Sequence, residues 1–222
     1  MSINRLSVTG RINAASKKLT RRQKSWLVGY LIVFIVSITA LIWQTNALTL
    51  VELPAAGGEL EEGVVGVPRF VNPLLAISNA DRDLTMLVYS GLLRYNQDGA
   101  LVPDLAERYT ISEDGREYRF FLKPDLVWHD GEPVTVEDVI FTASRAKDPT
   151  INCPRRAAWE GVEITKISDR EILFTLKQPY VSFLETATLG LLPAHAWQNV
   201  TPETFPFNNL NIEPIGTGPY RV

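Results

Sequence analysis

The chain has 222 residues, enough for one ordinary domain and an added segment. Its 22 Lys and Arg against 25 Asp and Glu give a net charge of −3, but the first 24 residues hold seven bases and no acid, leaving 15 bases and 25 acids for the rest. So acidic a body lacks the basic footprint of a nucleic-acid binder, and one cysteine with two histidines can form neither an internal disulfide nor a four-ligand Cys/His zinc centre.

Residues 1–24 read as a basic cytoplasmic tail. Ser25 to Val51 then runs 27 residues without a charge. Its most apolar part, Trp26 to Trp43, holds eleven Leu, Ile, Val or Phe and would span about 27 Å as a helix. Trp26, Tyr30 and Trp43 stand near its ends, where aromatic rings favour the membrane interface. A buried core helix is the alternative, but the length and the basic flank favour a span. The run is also longer than the core of a cleaved signal, and Thr45-Asn46-Ala47 is a poor cleavage site. Residues 25–45 are therefore expected to be an uncleaved signal anchor, with the basic flank inside and the rest of the chain outside. Residues 46–57 read as a linker, containing Pro54 and Gly57.

From residue 58 onward the pattern is globular. Gly63 to Val67 predicts a buried strand, stopped by the loop Pro68-Arg69-Phe70-Val71-Asn72-Pro73. Ser78 and Asp81 have capping-box spacing, and Leu84, Leu87, Val88, Gly91 and Leu92 follow on one helical face, with Tyr89 off the stripe. Asn96 to Gly99 is a turn. A hairpin is predicted from Arg108–Ile111 and Glu117–Lys123 about Asp114-Gly115, with Tyr118, Phe120 and Leu122 facing inward. After a turn at His129-Asp130-Gly131, Thr135 and Asp138 cap a second helix, which Asp148-Pro149 ends. Thr150 to Glu160 reads as a polar loop, with Cys153 a plain loop cysteine despite Arg155 and Arg156 beside it. A second hairpin is predicted from Val162–Ile167 and Glu171–Lys177, then a helix opened by Pro179 and closed by Gly190. His195 is read as structural, and Pro206 to Glu213 as a polar loop. Gly216-Thr217-Gly218 invites comparison with a phosphate loop, but no lysine follows, no helix begins and Pro219 lacks an N–H.

Four pieces in order carry a resemblance: P-D-L-A-E from Pro103, S-E-D-G-R-E-Y-R-F-F-L-K from Ser112, V-W-H-D-G-E-P-V-T-V-E-D-V-I-F from Val127, and P-I-G-T-G-P-Y from Pro214. Together they resemble the extracellular solute-binding proteins of family 5, the receptors that deliver peptides, nickel and related solutes to ABC importers. The resemblance covers about Gly58 to Val222. It implies an α/β chain: an N-terminal transmembrane helix followed by part of a type II periplasmic-binding-protein-like fold, with a mixed sheet, helices and a hairpin-rich subdomain. It also implies that residues 58–222 are the N-terminal part of the solute-binding domain, the C-terminal lobe lying beyond them, so that this chain by itself is expected to be poorly stable or non-binding.

The function implied is that of an extracytoplasmic, membrane-anchored receptor, with no cofactor and no catalytic residues. Its partners would be an oligopeptide or other small solute, ABC permease subunits, and the membrane through residues 25–45. By the same resemblance the loop holding Phe70 and Asn72 borders the ligand cleft, and Gly216, Thr217 and Gly218 lead the chain back beside it. With Tyr89, these form the candidate ligand-binding set. Many relatives are tethered by a lipid on an N-terminal cysteine; no cysteine lies near this apolar segment, so the helix is expected to replace the lipid. A membrane-bound solute sensor using the same fold is the alternative function, and an extracellular hydrolase a third. Against the hydrolase, no G-x-S-x-G, H-E-x-x-H or S-x-x-K occurs.

Overall fold

The computed structural model describes residues 20–49, 57–58, 61, 63 and 65–222. The chain divides into two compact units, residues 1–61 and 62–222. In the first, helix α1 (Arg21–Thr49) is 29 residues long, roughly 44 Å at 1.5 Å per residue. Its large apolar side chains from Trp26 to Trp43 are exposed. The basic tail up to Leu19 and most of the linker lie outside the described residues.

The second unit opens differently from the sequence expectation. The described residues of this run, Gly63 and Val65–Val67, form no strand, and Val65 and Val67 are 99% and 83% exposed. A β-branched run becomes a strand only beside a partner that takes its N–H and C=O groups, and none of the described strands pairs with it. Helix α2 (Asn79–Val88) has the predicted capping box, Ser78 accepting from the Asp81 N–H while the Asp81 carboxylate accepts from the Ser78 N–H. The short strands β1 (Leu93–Tyr95) and β2 (Leu101–Pro103) close around the Asn96–Gly99 turn.

The main sheet follows. Strands β3 (Ala106–Ile111) and β4 (Glu117–Leu122) form the first predicted hairpin, and Gly115 at its tip has φ +67°, where a side chain would strain the backbone. Helix α3 (Val136–Lys147) and the one-turn α4 (Arg156–Trp159) separate it from β5 (Val162–Ser168) and β6 (Glu171–Leu176). The order is β3-β4-β6-β5 and every pair is antiparallel, so no mixed sheet occurs among the described residues. Both outer strands carry a register irregularity, at Ala106/Arg108 and at Lys166/Ser168.

One face of this sheet builds the core. Tyr118, Phe120, Leu122, Ile172, Phe174 and Leu176 alternate inward along β4 and β6 and are buried. Phe120 meets Phe174 edge-on at 5.6 Å, and Phe183 packs at 4.7 Å from Tyr118 and 5.4 Å from Phe174, geometries that suit the aromatic quadrupole. Each such ring contributes roughly 1.5–3 kcal/mol by burial. The buried stripe of α3, Val136, Val139, Ala143 and Ala146, joins the same core, its two alanines allowing close approach.

Two further expectations change. Thr150–Glu160 is not an exposed loop: Ile151, Cys153 and Trp159 are buried, and α4 forms within it. The helix expected from Pro179 shrinks to α5 (Phe183–Thr186), because Tyr180 O is taken by the Tyr118 hydroxyl and the Phe183 N–H rather than by a regular helical ladder. Helix α6 (Ala194–Trp197) and two 3-10 turns, Phe205–Phe207 and Asn209–Asn211, complete the described unit.

Candidate ligand-binding site

Helix α2 ends at Val88, and Tyr89 turns extended with its N–H still on Thr85 O. The residues just beyond are where distant segments meet. The Leu191 N–H donates to Ser90 O at 2.9 Å, Leu105 N–H to Gly91 O at 3.1 Å, and Leu93 N–H to Ala187 O at 3.1 Å. A Cβ placed on Gly190 would lie 2.8 Å from Tyr89 Cβ and 3.3 Å from Pro73 Cβ, so the Phe70–Pro73 loop, Tyr89 and Gly190 converge.

The glycine turn docks on the same helix end. Gly218 N–H donates to Val88 O at 2.7 Å and Tyr220 N–H to Leu87 O at 3.0 Å, two of the carbonyls that a helix C-terminus leaves open. Thr217 Oγ1 accepts from Ser90 N–H at 3.3 Å. A Cβ on Gly216 would sit 1.9 Å from Val88 O and one on Gly218 2.5 Å from Leu87 O, so both positions need glycine for backbone approach. The Gly216 and Gly218 N–H groups are thus spent on His129 Nδ1 and Val88 O, and neither is free to cradle a phosphate.

The six sequence-predicted residues fare differently. Tyr89, Gly216, Thr217 and Gly218 share the α2 end. Phe70 is half-buried; its N–H donates to Asp81 Oδ1 at 3.2 Å, and Arg69 stands 5.5 Å from its ring centre. Asn72 is fully buried. Its Nδ2 donates to Asn211 Oδ1 at 2.8 Å and its Oδ1 accepts from Leu74 N–H at 2.9 Å, so its side chain is occupied in shaping the loop. Tyr89 is 5% exposed, with no partner for its hydroxyl among the described residues, and burial pushes its phenol above the ordinary value. Asp81 is buried as well. Burial alone would raise its carboxyl, but the Arg69, Ser78 and Phe70 donors outweigh that and hold it below the ordinary value.

An adjoining feature escaped sequence reasoning. Between α4 and the β6–α5 connection lies an open groove of about 660 Å³, lined among others by Arg155, Glu160, Lys177, Tyr180 and Glu185. Arg155 anchors one wall, donating to Glu185 O at 2.7 Å and to Thr188 Oγ1 at 3.3 Å; burial lowers its guanidinium from the ordinary value. The nearby Cys153 thiol is pushed up by burial, against the smaller opposing pull of Arg155, which is the reverse of what a nucleophile needs. Only the adjacency of Pro154, Arg155 and Arg156 hinted at this wall in the sequence. Among the described residues no three His, Cys, Asp or Glu side chains gather as a metal site.

Against this geometry stand the known proteins. The profile of the bacterial extracellular solute-binding proteins, family 5 (middle region), matches residues 100–222. The oligopeptide-binding protein AppA of Bacillus subtilis is 30% identical over 172 residues, 76% of this chain and 32% of AppA. The crystal structure of the ABC transporter substrate-binding protein CtaP of Listeria monocytogenes superposes with a TM-score of 0.67 at 34% identity, covering 75% of this chain and 34% of CtaP. That of NikZ of Campylobacter jejuni, in complex with Ni(L-His), gives 0.63 at 33% identity, covering 73% and 31%. The chain belongs to the family 5 extracellular solute-binding proteins, and its body is part of a type II periplasmic-binding-protein fold. It spans about a third of the length of the relatives it matches.

Proposed function

We propose that the chain is part of the extracytoplasmic substrate-binding component of an ABC importer, with an oligopeptide as its solute. The family match across residues 100–222 carries this reading, and the kinship with AppA supports the choice of peptide. The groove adds chemical support: Arg155, Lys177, Glu160 and Glu185 bring both charge signs beside the half-exposed Tyr180, which suits a zwitterionic chain with a backbone to hydrogen-bond. In this reading two lobes close on the solute, which shifts an open–closed equilibrium, and residues 58–222 supply the N-terminal part. Phe70 and the Gly216–Gly218 turn border the cleft, while the buried Tyr89 and Asn72 set it from beneath. Residues 25–45 anchor the receptor, residues 1–24 stay in the cytoplasm, residues 46–57 link the two, and permease subunits receive the solute. No bond is made or broken.

The test is direct. The native protein is extracted from its membranes with detergent, weighed intact, and screened against oligopeptides and Ni(L-His) by calorimetry and thermal shift. Saturable binding of oligopeptides with a raised Tm is expected. Binding of Ni(L-His) alone would overturn the peptide assignment, and turnover of a peptide would overturn the receptor reading.

A further inference from the structure

The chain has two histidines, and both engage one turn, Trp128–Gly131. His195 Nε2 lies 2.9 Å from Asp130 Oδ2. His129, next door, faces the glycine turn. Its backbone N–H donates to Gly216 O at 2.9 Å, its ring Nδ1 accepts from Gly216 N–H at 3.4 Å, and its Nε2 lies 2.9 Å from Gly218 O. One tautomer satisfies both ring contacts: neutral imidazole with its proton on Nε2, since Gly218 O can only accept and Gly216 N–H can only donate. An imidazolium carries a proton on each nitrogen and would set the Nδ1 proton against the Gly216 proton.

We infer that neutral His129 is a latch that fixes the Gly216–Thr217–Gly218 turn on the end of α2, and that acidification loosens that turn. Among the described residues, charged groups reach this turn from several elements: from α3 comes Asp138, whose Oδ2 accepts the Trp128 indole N–H at 3.4 Å. On its own turn stand Asp130, engaged with His195, and Glu132, whose N–H binds Asp130 Oδ1. From the turn's far side comes Arg221, whose guanidinium donates to His129 O at 3.4 Å. From α6 comes His195, behind Asp130. The last turn of α2, Thr85 to Val88, brings no charge. His129 is half-exposed, so a proton has access. Its effect passes to Gly218 and Tyr220, whose N–H groups hold Val88 O and Leu87 O. The latch stands on the fold alone. Release of a solute held beside the turn would be a consequence only under the receptor reading, so the test uses no ligand.

Hydrogen–deuterium exchange of the full chain in detergent micelles is followed by mass spectrometry from about pH 8 to about pH 5, with rates corrected for intrinsic exchange. Peptides covering residues 215–222 should exchange about five- to tenfold faster at the acid end, as expected for the loss of one hydrogen bond, while peptides from β4 and β6 stay unchanged. His195→Gln should keep that response. His129→Phe, which keeps a flat ring without nitrogens, should exchange fast at both pH values. A flat response in the unaltered chain, or a response that survives in His129→Phe or vanishes in His195→Gln, overturns the latch. The titration of the unaltered chain decides the question even where His129→Phe fails to fold.

Discussion

Asp138 Oδ1 accepts the backbone N–H of Ala194 at 2.7 Å across 56 residues of sequence. The same buried carboxylate takes the N–H and hydroxyl of Thr135 at 2.8 and 3.1 Å and the Trp128 indole N–H at 3.4 Å through Oδ2. One helix cap therefore also holds the turn that bears His129 and the start of α6. Asp138→Ala strands these donors in the core, and should lower the unfolding free energy by roughly 3 kcal/mol or more. Asp138→Asn keeps one acceptor but turns a donor toward Thr135, and should fall between. Urea unfolding midpoints of both variants check this.

The glycine turn gives a steric prediction. Gly216→Ala forces a Cβ into Val88 O and should cost about 2–3 kcal/mol. Gly63→Ala, where an added Cβ meets nothing within 4 Å, should leave stability unchanged. Thermal unfolding of the two variants separates a positional requirement from a general glycine effect.

Acid should destabilise the fold partly through Asp81. Its folded-state carboxyl sits below the ordinary value of 3.8. A depressed group contributes stability above its unfolded value, and that stability is lost as pH falls through the folded value. The loss should therefore begin near pH 4 and grow below it. Asp81→Asn should be less stable at neutral pH and show a shallower acid limb, read from unfolding free energies between about pH 6 and about pH 2. An acid limb as steep as that of the unaltered chain would contradict the assignment.

Cys153 should behave as an inert thiol. Burial raises it from the ordinary value, so little thiolate is present at neutral pH. A thiol reagent should label it slowly in the native protein and at the rate of a free cysteine in urea. Fast native labelling would contradict its burial.

Phe70 and Asn72 should divide by readout. Asn72→Ala removes a bond to Asn211 and one to the Leu74 N–H, and should cost roughly 2 kcal/mol of stability. Phe70→Ala should weaken solute affinity with a smaller effect on unfolding. Paired calorimetry and urea denaturation on the native-length protein make the comparison.

What the sequence showed was local. Ser78 with Asp81 and Thr135 with Asp138 are three residues apart, so each pair could be read from spacing, as could the turn at Asp114-Gly115. What it hid was distant. Asn72 meets Asn211 across 139 residues, His129 meets Gly218 across 89, and Arg155 meets Glu185 O across 30. No periodicity encodes such pairings, and each became legible only with the chain folded. The strand read into Gly63–Val67 shows the converse: composition described a residue run that suits a sheet, while sheet formation depends on a neighbour that composition does not supply. The Pro179 helix failed for the related reason that a tertiary acceptor, Tyr180 O for the Tyr118 hydroxyl, outcompeted local propensity.

The irregularities in β3 and β5 have a consequence for how the protein tolerates crowding. A flat rim of unpaired N–H and C=O groups is a template on which another chain can grow. Here each rim is kinked at Ala106/Arg108 or Lys166/Ser168, and a bulge throws a docking strand out of step. Two copies meeting rim to rim would match for only a few residues before their ladders diverge. Growth of a fibril from either rim is thereby disfavoured, and a concentrated solution should be slow to form cross-β assemblies nucleated at these edges.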